Sequence, residues 1–523
     1  MYGCPGCGGM MTFDIPTQSL KCERCDRTQS IEEADRREAR QAEHSFSVDL
    51  LTCPTCGAEI RAMNTAAAAF CSYCGSSVML EKQEDLLDPP EQIVPFQVTR
   101  EQCFEKYRSM LKRSLCADHR LKKDVKPESF RGIYVPYYTY RGDIVGGAKL
   151  KGTQTKGDTT YYYDTVVNLN HHFEGILHDA SREMPDYLSE KISRVDRKAF
   201  RPFSPAYLSG YYADVPDTHE EAYIPYAKAE VVRNGLSDVI GALEDGCHYD
   251  TQDAQKSLLK VADASYTGQT MLPVWFMSMR SGKRVLYAVQ NGVTGEMTAD
   301  IPLDIPRFGL VALVLAIPLF FLLNAFLTLR PEVVLVMAML LAVGAQLAVN
   351  HYRGKIHRKE HENRGEDGEF DYTAYLRELR QRTQQKKNQG SRLNQILSFA
   401  VGGVGIAAAI MGLSMLAEVD NVKLFGLGGL GLTAIMAFLL LWRRGSQARL
   451  PAGSWAALIA MAAGTFLLIA NPFHSDDMPV YLATFACMAA VLWESVDLLL
   501  MHNRECSNAM PQFETHQGGE DRA

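Results

Sequence analysis

Eight of the chain's 13 cysteines stand before residue 75 in a pattern that occurs twice. Cys4, Cys7, Cys22 and Cys25 make Cys-x2-Cys-x14-Cys-x2-Cys, and Cys53, Cys56, Cys71 and Cys74 repeat it with every position displaced by 49. Two residues between thiolates let one tight turn present both sulfurs to a metal at about 2.3 Å, and two such turns close a tetrahedron. Glycine after Cys7, Cys56 and Cys74 suits that turn, where a side chain would crowd the sulfurs. The duplication predicts two small zinc ribbons, each holding one structural ion, because four thiolates leave no open coordination position for chemistry. Iron in a rubredoxin-like site is the alternative occupant, since its ligands are spaced much the same way. Neither module has enough apolar residues to fold alone, and metal binding supplies on the order of 10 kcal/mol. The other five cysteines (Cys103, Cys116, Cys247, Cys487, Cys506) are scattered, as suits a reducing compartment rather than a disulfide framework.

Zinc ribbons often contact nucleic acid, but phosphate binding needs clustered Lys and Arg. Up to Asp85 there are 8 Lys plus Arg against 13 Asp plus Glu, a net charge of 8 − 13 = −5. That balance favours protein partners and argues against nucleic acid. Between the modules, Ser30-Ile-Glu-Glu33 reads as a capping box, and the charged run to Glu43 as a short solvated helix.

The whole-chain averages, a net charge of −7 and a near-neutral mean hydropathy, conceal two solvents. Apolar residues crowd after Leu303 and charges before it. Gly309 to Leu329 at 1.5 Å per residue spans about 32 Å, the thickness of a bilayer core. Five more candidates follow, at 332–350, 396–417, 422–442, 453–471 and 478–500, which places both termini on one side. Lys and Arg stay cytoplasmic. Arg353, Lys355, Arg358, Lys359, Arg377, Arg380, Arg382, Lys386, Lys387 and Arg392 in the 351–395 loop, and Arg443, Arg444 and Arg449 in a second, mark the inside. Glu418-Val-Asp420 and His474-Ser-Asp-Asp477 carry no Lys or Arg and belong outside. Met1-Tyr-Gly-Cys-Pro has no basic n-region or apolar stretch, so no secretory signal is visible and the N-terminus is expected in the cytoplasm.

Within the fourth span, Gly426-Leu-Gly428-Gly-Leu-Gly431 matches a dinucleotide fingerprint formally, but no strand precedes it. Like Gly402, Gly403, Gly405 and Gly412, these residues are read as points of close helix packing. Glu494 and Asp497 are the one hint of transport, since carboxylates within a span are functional suspects. Their place near the inner end of the sixth span is expected to let them reach the headgroups.

Residues 90–305 mix aromatic, β-branched runs with amphipathic helices, as an α+β domain does. Thr99 caps a helix whose Phe104, Tyr107, Leu111 and Leu115 share a face. Gly132-Ile-Tyr-Val-Pro-Tyr-Tyr-Thr-Tyr140 reads as a strand, with Pro136 implying an edge or a bulge. Leu272 to Met279, a turn at Arg280-Ser-Gly282, Lys283 to Val289 and a second turn at Asn291-Gly-Val-Thr-Gly295 read as an antiparallel meander. His171, His172, Glu174, His178 and Asp179 are the nearest thing to a second metal set, but strand alternation places adjacent histidines on opposite faces. No nucleophile elbow, P-loop, H-E-x-x-H or kinase signature is present, and no catalytic residue is expected.

As a set, Pro95-Phe96, Gly132-Ile-Tyr-Val-Pro-Tyr-Tyr138, Tyr207-Leu-Ser-Gly210, Leu272-Pro-Val-Trp275 and Asn291-Gly-Val-Thr-Gly295 resemble a bacterial family of membrane proteins with an N-terminal transcription-factor-IIB-type zinc ribbon. The resemblance covers residues 50–330. This chain differs in its extra ribbon and in six spans where many relatives have one or two. The family has no established catalytic residues. The resemblance implies a link to membrane-stress machinery, with stomatin/flotillin-type and phage-shock-type partners, and its bacterial setting implies the inner (cytoplasmic) membrane.

The expected organisation is a multidomain chain: ribbon 1 (1–30), a helical spacer (31–49), ribbon 2 (50–85), a cytoplasmic α+β domain with an antiparallel sheet (90–305), a transmembrane hairpin (309–350), a charged cytoplasmic loop (351–395), spans three to six (396–500) and a cytoplasmic tail (501–523). The expected function is a non-enzymatic docking scaffold at the bilayer. The alternatives are a tethered nucleic-acid or RNA-polymerase-linked regulator, and a transporter or lipid-handling protein with regulatory ribbons.

Overall fold

A computed structural model describes residues 2–38, 46–62, 71, 73–74, 81–87, 89–156, 159–180, 193, 195–214, 216, 219–243, 247–282, 284–326, 331–362, 421–442, 452–470 and 478–509. The first cysteine module is a hairpin of β1 (Met11–Asp14) and β2 (Ser19–Cys22) followed by α1 (Ile31–Glu38), where the Ser30 hydroxyl accepts from the Glu33 amide at 3.3 Å. The second module contributes β3 (Phe46–Thr52), β4 (Glu59–Ala62) and β5 (Glu81–Leu87), in which β3 pairs antiparallel with both of the others.

Next comes α2 (Arg100–Arg113), held at its start by the expected cap: Thr99 and Gln102 bond reciprocally, side chain to backbone. Its Tyr107 and Leu111 are buried, whereas Leu115 falls beyond the helix end and is 73% exposed. Two long strands, β6 (Arg131–Lys156) and β7 (Thr159–Asp179), form an antiparallel hairpin, and α3 (Ile224–Gly241) covers one side of it through Val231, Val232 and Leu236. Tyr212–Ala213 makes a short β8, then β9 (Ala262–Ser281), β10 (Arg284–Asn291) and β11 (Met297–Ala299) build the meander.

Along the sheet the order is β10, β9, β6, β8, β4, β3, β5, so the second cysteine module extends the same sheet as the meander. Pro136 is not at an edge. It lies in β6 with β9 on one flank, where the other flank changes partner: Ile133 and Tyr134 pair with β8, and pairing to β7 begins at Tyr137. A missing N–H is tolerated where the ladder is interrupted. The meander forms as its pattern predicts, but β9 runs on to Ser281, opposite Arg284, and the chain reverses at Gly282 with φ +64°. A two-residue reversal of this kind needs positive φ, which glycine adopts without strain. At the second turn, the Asn291 carboxamide oxygen accepts from the amides of Val293 and Thr294 at 2.7 and 2.9 Å.

Five apolar helices follow: α4 (Ile305–Phe326), α5 (Pro331–Glu362), α6 (Asn421–Trp442), α7 (Ala452–Ala470) and α8 (Met478–Glu505). Among the described residues, α4, α5, α7 and α8 are long and apolar enough to cross a membrane, and α6 adds a shorter apolar stretch, Gly428–Leu440. They coincide with five of the six expected spans. The sixth, 396–417, lies outside the described residues, as do the small residues expected there, the basic loop positions beyond Glu362, Arg443, Arg444 and Arg449, and both acidic turns.

Helix direction follows from level contacts. Tyr352 and His502 have ring centroids 5.8 Å apart and Lys355 meets Glu505 at 3.4 Å, so α5 and α8 run parallel. Asn350 donates to the Leu439 carbonyl at 3.3 Å, and a Cβ on Gly429 would sit 3.5 Å from Met339 Sδ, so α6 runs parallel to α5 as well. Consequently α5 ends and α6 begins at opposite ends of the bundle. Gly429 and Gly464 act as spacers, and a Cβ on Gly464 would come within 2.9 Å of Met339 Cε, whereas Gly428 and Gly431, expected as packing points, meet nothing within 4 Å among the described residues; Thr433 and Thr465 hydroxyls meet across α6 and α7 at 2.9 Å.

The sheet domain and the helices are joined twice at one end. Asn503, near the end of α8, donates to the Leu303 carbonyl at 2.8 Å and accepts from the Leu303 amide at 2.7 Å. The chain then leaves α8 as a short β12 (Asn508–Ala509) that pairs with β10. The Arg284 guanidinium donates to the Ser507 hydroxyl at 2.6 Å and to the Arg504 and Ser507 carbonyls at 3.0 and 2.7 Å. A cavity of about 570 Å³ opens at this junction between Arg120, Arg284, Asp304 and Arg504.

Candidate metal centres

Three of the four cysteine pairs, those that begin at Cys4, Cys22 and Cys53, sit on a tight turn of the same construction. In the first, the Cys4 amide donates to the Gly9 carbonyl and the Gly8 amide to the Cys4 carbonyl, while Gly8 takes φ +68°. The turns at Cys22 and Cys53 repeat both bonds, with Asp26 at φ +56° and Gly57 at φ +83° in the equivalent place. Glycine is the expected residue there, and at Asp26 an aspartate fills the position, its carboxylate 3.0 Å from Lys21 Nζ. Gly75 lies outside the described residues.

All eight predicted ligands gather into two sets. Cys4 and Cys25 sulfurs are 3.6 Å apart and Cys7 and Cys22 sulfurs 3.5 Å. In the second set Cys53 to Cys74 is 3.8 Å and Cys56 to Cys71 is 3.7 Å. Within each set all four sulfurs lie within 4.8 Å of one another. A zinc ion with four sulfurs at about 2.3 Å spaces them about 3.8 Å apart, so both donor sets fit a tetrahedral Cys4 zinc ion in size and chemistry. Backbone N–H groups favour thiolate: the Gly6 amide, 3.4 Å from Cys4 Sγ, pulls that thiol down to about 6.

Both sets are packed against the central sheet, in two separate buried clusters on its opposite faces. Side chains alternate along β9, so Met271, Trp275 and Met277 pack with Cys4, Cys22 and the first module, whereas Leu272, Val274 and Phe276 pack with Cys53, Cys56, Cys71 and Cys74. Along β10, Leu286 and Ala288 face the first set, and Val285, Tyr287 and Val289 the second. Tyr73, between two ligands of the second set, meets Phe276 with ring centroids 5.5 Å apart. The four second-set cysteines are all buried, and in the first set Cys25 alone is exposed.

The motifs that carry the family resemblance converge beneath the first set. Phe96 stacks on Tyr211 at 4.6 Å and meets Trp275 and Tyr134 at 5.0 and 5.1 Å. A Cβ on Gly132 would strike Tyr211 at 2.4 Å, and one on Gly292 would strike Phe96 at 2.6 Å. From the Tyr207–Gly210 segment, the Ser209 carbonyl accepts from the Phe13 amide, and Tyr207 meets the Phe13 ring at 5.3 Å. Those residues hold the first module to the sheet. Sequence reasoning did not foresee this convergence, because the contributing positions span almost 200 residues and share no local period.

The histidine-rich strand gives no metal set among the described residues. His172 Nδ1 lies 2.6 Å from Asp143, its Nε2 3.2 Å from Glu174, and Arg197 pairs with Glu174, an exposed ion-pair chain that raises the His172 midpoint and lowers that of Glu174. His171 instead stacks on Phe173, and His178 is turned inward against Tyr140, Tyr223 and Tyr226. Asp179 is buried at the end of β7.

Glu494 departs from expectation. It does not reach toward headgroups but is fully buried, because α7 begins against it: a Cβ on Gly453 would sit 3.1 Å from the Glu494 amide nitrogen. Asp497, one turn on, accepts from the Gly453 amide at 3.3 Å.

Taken together, the sheet domain, the two Cys4 sets and the apolar helices define a metal-binding membrane protein. No family model matches the chain, and no solved structure does. Among curated proteins it is similar to the uncharacterised protein YdjG of Bacillus subtilis (strain 168), 24% identical over 314 residues, a match that covers 58% of this chain and 90% of that protein.

Proposed function

We propose that this chain is a zinc-braced, non-enzymatic docking scaffold of the bacterial cytoplasmic membrane, multi-pass with both termini in the cytoplasm. The observation that carries the reading is the double junction. Asn503 on Leu303, and Arg284 with β12 on β10, tie the sheet domain to the helix ends at two points instead of trailing it on a linker. A domain held close to the bilayer suits a platform. Two zinc ribbons with closed ligand sets, one on each face of the central sheet, brace it and offer no open site for catalysis. The basic loops and the reduced cysteines both support a cytoplasmic platform.

Its exposed feature is the arm of β6 and β7. There Val145, Tyr162 and Val166 lie on one face, 65%, 80% and 66% exposed, interleaved with Asn170, Lys149, Lys151 and Asp164, a mixed apolar and charged surface that a protein partner could cover. The family resemblance points to stomatin/flotillin-type or phage-shock-type proteins as that partner. Crosslinked purification from intact membranes tests this. Wild type should recover such a protein, and Tyr162→Ser/Val166→Ser should lose it while zinc content and membrane insertion stay normal. Equal recovery by both, or salt-sensitive recovery of nucleic acid in its place, would overturn the reading.

A further inference from the structure

Glu494 is 0% exposed, and among the described residues neither carboxyl oxygen has a hydrogen-bond partner. Two more buried polar atoms beside or level with it lack partners, Ser454 Oγ on α7 and Gln346 Oε1 on α5. Ser454 follows Gly453, whose Cβ position touches the Glu494 backbone. Gln346 is placed by the parallel register of α5 and α8. Counting back from the Lys355–Glu505 contact, it stands nine residues away and Glu494 eleven, a difference of about 3 Å along the axis.

An ionised carboxylate without a partner costs several kcal/mol in such surroundings. Only a positive occupant removes that cost. A metal cation needs several oxygens converging on one point, and the described acidic groups form no such set here. The proton needs one oxygen.

We propose that Glu494 is a reversible proton-binding site inside the helical bundle. A proton from the aqueous phase adds to one carboxyl oxygen and leaves the buried group neutral. Asp497, on the same helix, is the nearest titratable group and is engaged by the α7 N-terminus. α7 itself carries no titratable residue from Ala452 to Ala470. On α5, the groups that follow Asn350 are His351, Tyr352, Arg353 and Lys355, about 10 Å or more further toward the soluble domain, with Lys355 paired to Glu505. None of them neutralises Glu494 directly.

Dicyclohexylcarbodiimide reacts with protonated carboxyl groups in apolar surroundings, so it reads occupancy. The full-length protein in lipid nanodiscs is labelled across a pH series and the Glu494 peptide is quantified by mass spectrometry. Labelling is expected to fall at least about tenfold from pH ~6 to pH ~9, since a single proton gives up to tenfold per unit. It should vanish in Glu494→Gln and persist in Asp497→Asn, with unchanged thermal unfolding of Glu494→Gln showing that the bundle is intact. Labelling that ignores pH, or is absent at every pH, would overturn the proposal. Labelling suppressed by sodium or potassium at fixed pH would also overturn it, in favour of a metal cation.

Discussion

Cys7 and Cys22 hold their sulfurs 3.5 Å apart, and four thiolates at such spacing repel unless a cation sits among them. Metal analysis of the purified chain should therefore return two zinc ions, and one from Cys53→Ser/Cys56→Ser, whose four-sulfur set is broken. Two ions in that variant would show that the cysteines do not hold the metal. A second residue-scale prediction concerns His178, whose side chain is 19% exposed and whose burial holds its midpoint below the usual histidine range. The unfolded chain takes a proton near pH ~6.5 and the folded chain resists it, so the unfolded state binds more protons below that pH. Stability then falls as pH drops from ~6.5 toward the lower folded midpoint, by up to about 1.4 kcal/mol per unit of separation. Denaturant midpoints of wild type and His178→Gln should converge on acidification, and a constant gap between them would contradict the assignment. The ligands were legible because their spacing is covalent. The burial of Glu494 was not, because it depends on where α7 begins, and nothing local to α8 encodes that.

Strand β9 has core on both faces, which is why its sequence reads as an unbroken apolar run from Met271 to Met277 and not as an alternation. The meander was readable from that run and its turns. The length of β6 and β7 was not, since the Gly, Lys, Asp and Asn interleaved through their outer halves are depleted in strands and common in loops. Trp275 donates to the Val98 carbonyl at 2.7 Å and packs on Phe96, so Trp275→Ala should cost roughly 3–5 kcal/mol and loosen the first metal site before the second. Zinc release kinetics from the two sites would reveal the order, and equal acceleration of both would count against a two-faced core. In the bundle, Gly464→Leu must displace Met339 or Leu335, and overpacking of this kind should cost about 1–3 kcal/mol, read as lowered thermal stability in detergent. Of the small residues expected as packing points, Gly429 meets Met339 and Thr465, partners that emerge only once helix directions are known, while Gly428 and Gly431 meet nothing within 4 Å among the described residues.

At the scale of the whole molecule, sequence analysis expected ribbons, sheet domain and spans as separate units, because each has its own composition and period, but the second cysteine module shares the sheet of the meander. The joints between them rest on single residues. Arg284, Asn503 and Ser507 carry no motif, yet they tie the last helix back to a strand more than 200 residues earlier. The central claim is that both metal sites are structural parts of one packed unit, the second built into the central sheet and the first on a small sheet of its own packed against it, and not appended modules. Hydrogen exchange of the full-length protein, before and after zinc is removed by a chelator, tests it directly. Loss of zinc is expected to raise exchange roughly a hundredfold, about 3 kcal/mol of local protection, at Ile133–Tyr137 of β6 and Met271–Phe276 of β9 as well as in both cysteine modules. Exchange that rises in the modules while those two strands stay protected would contradict the account.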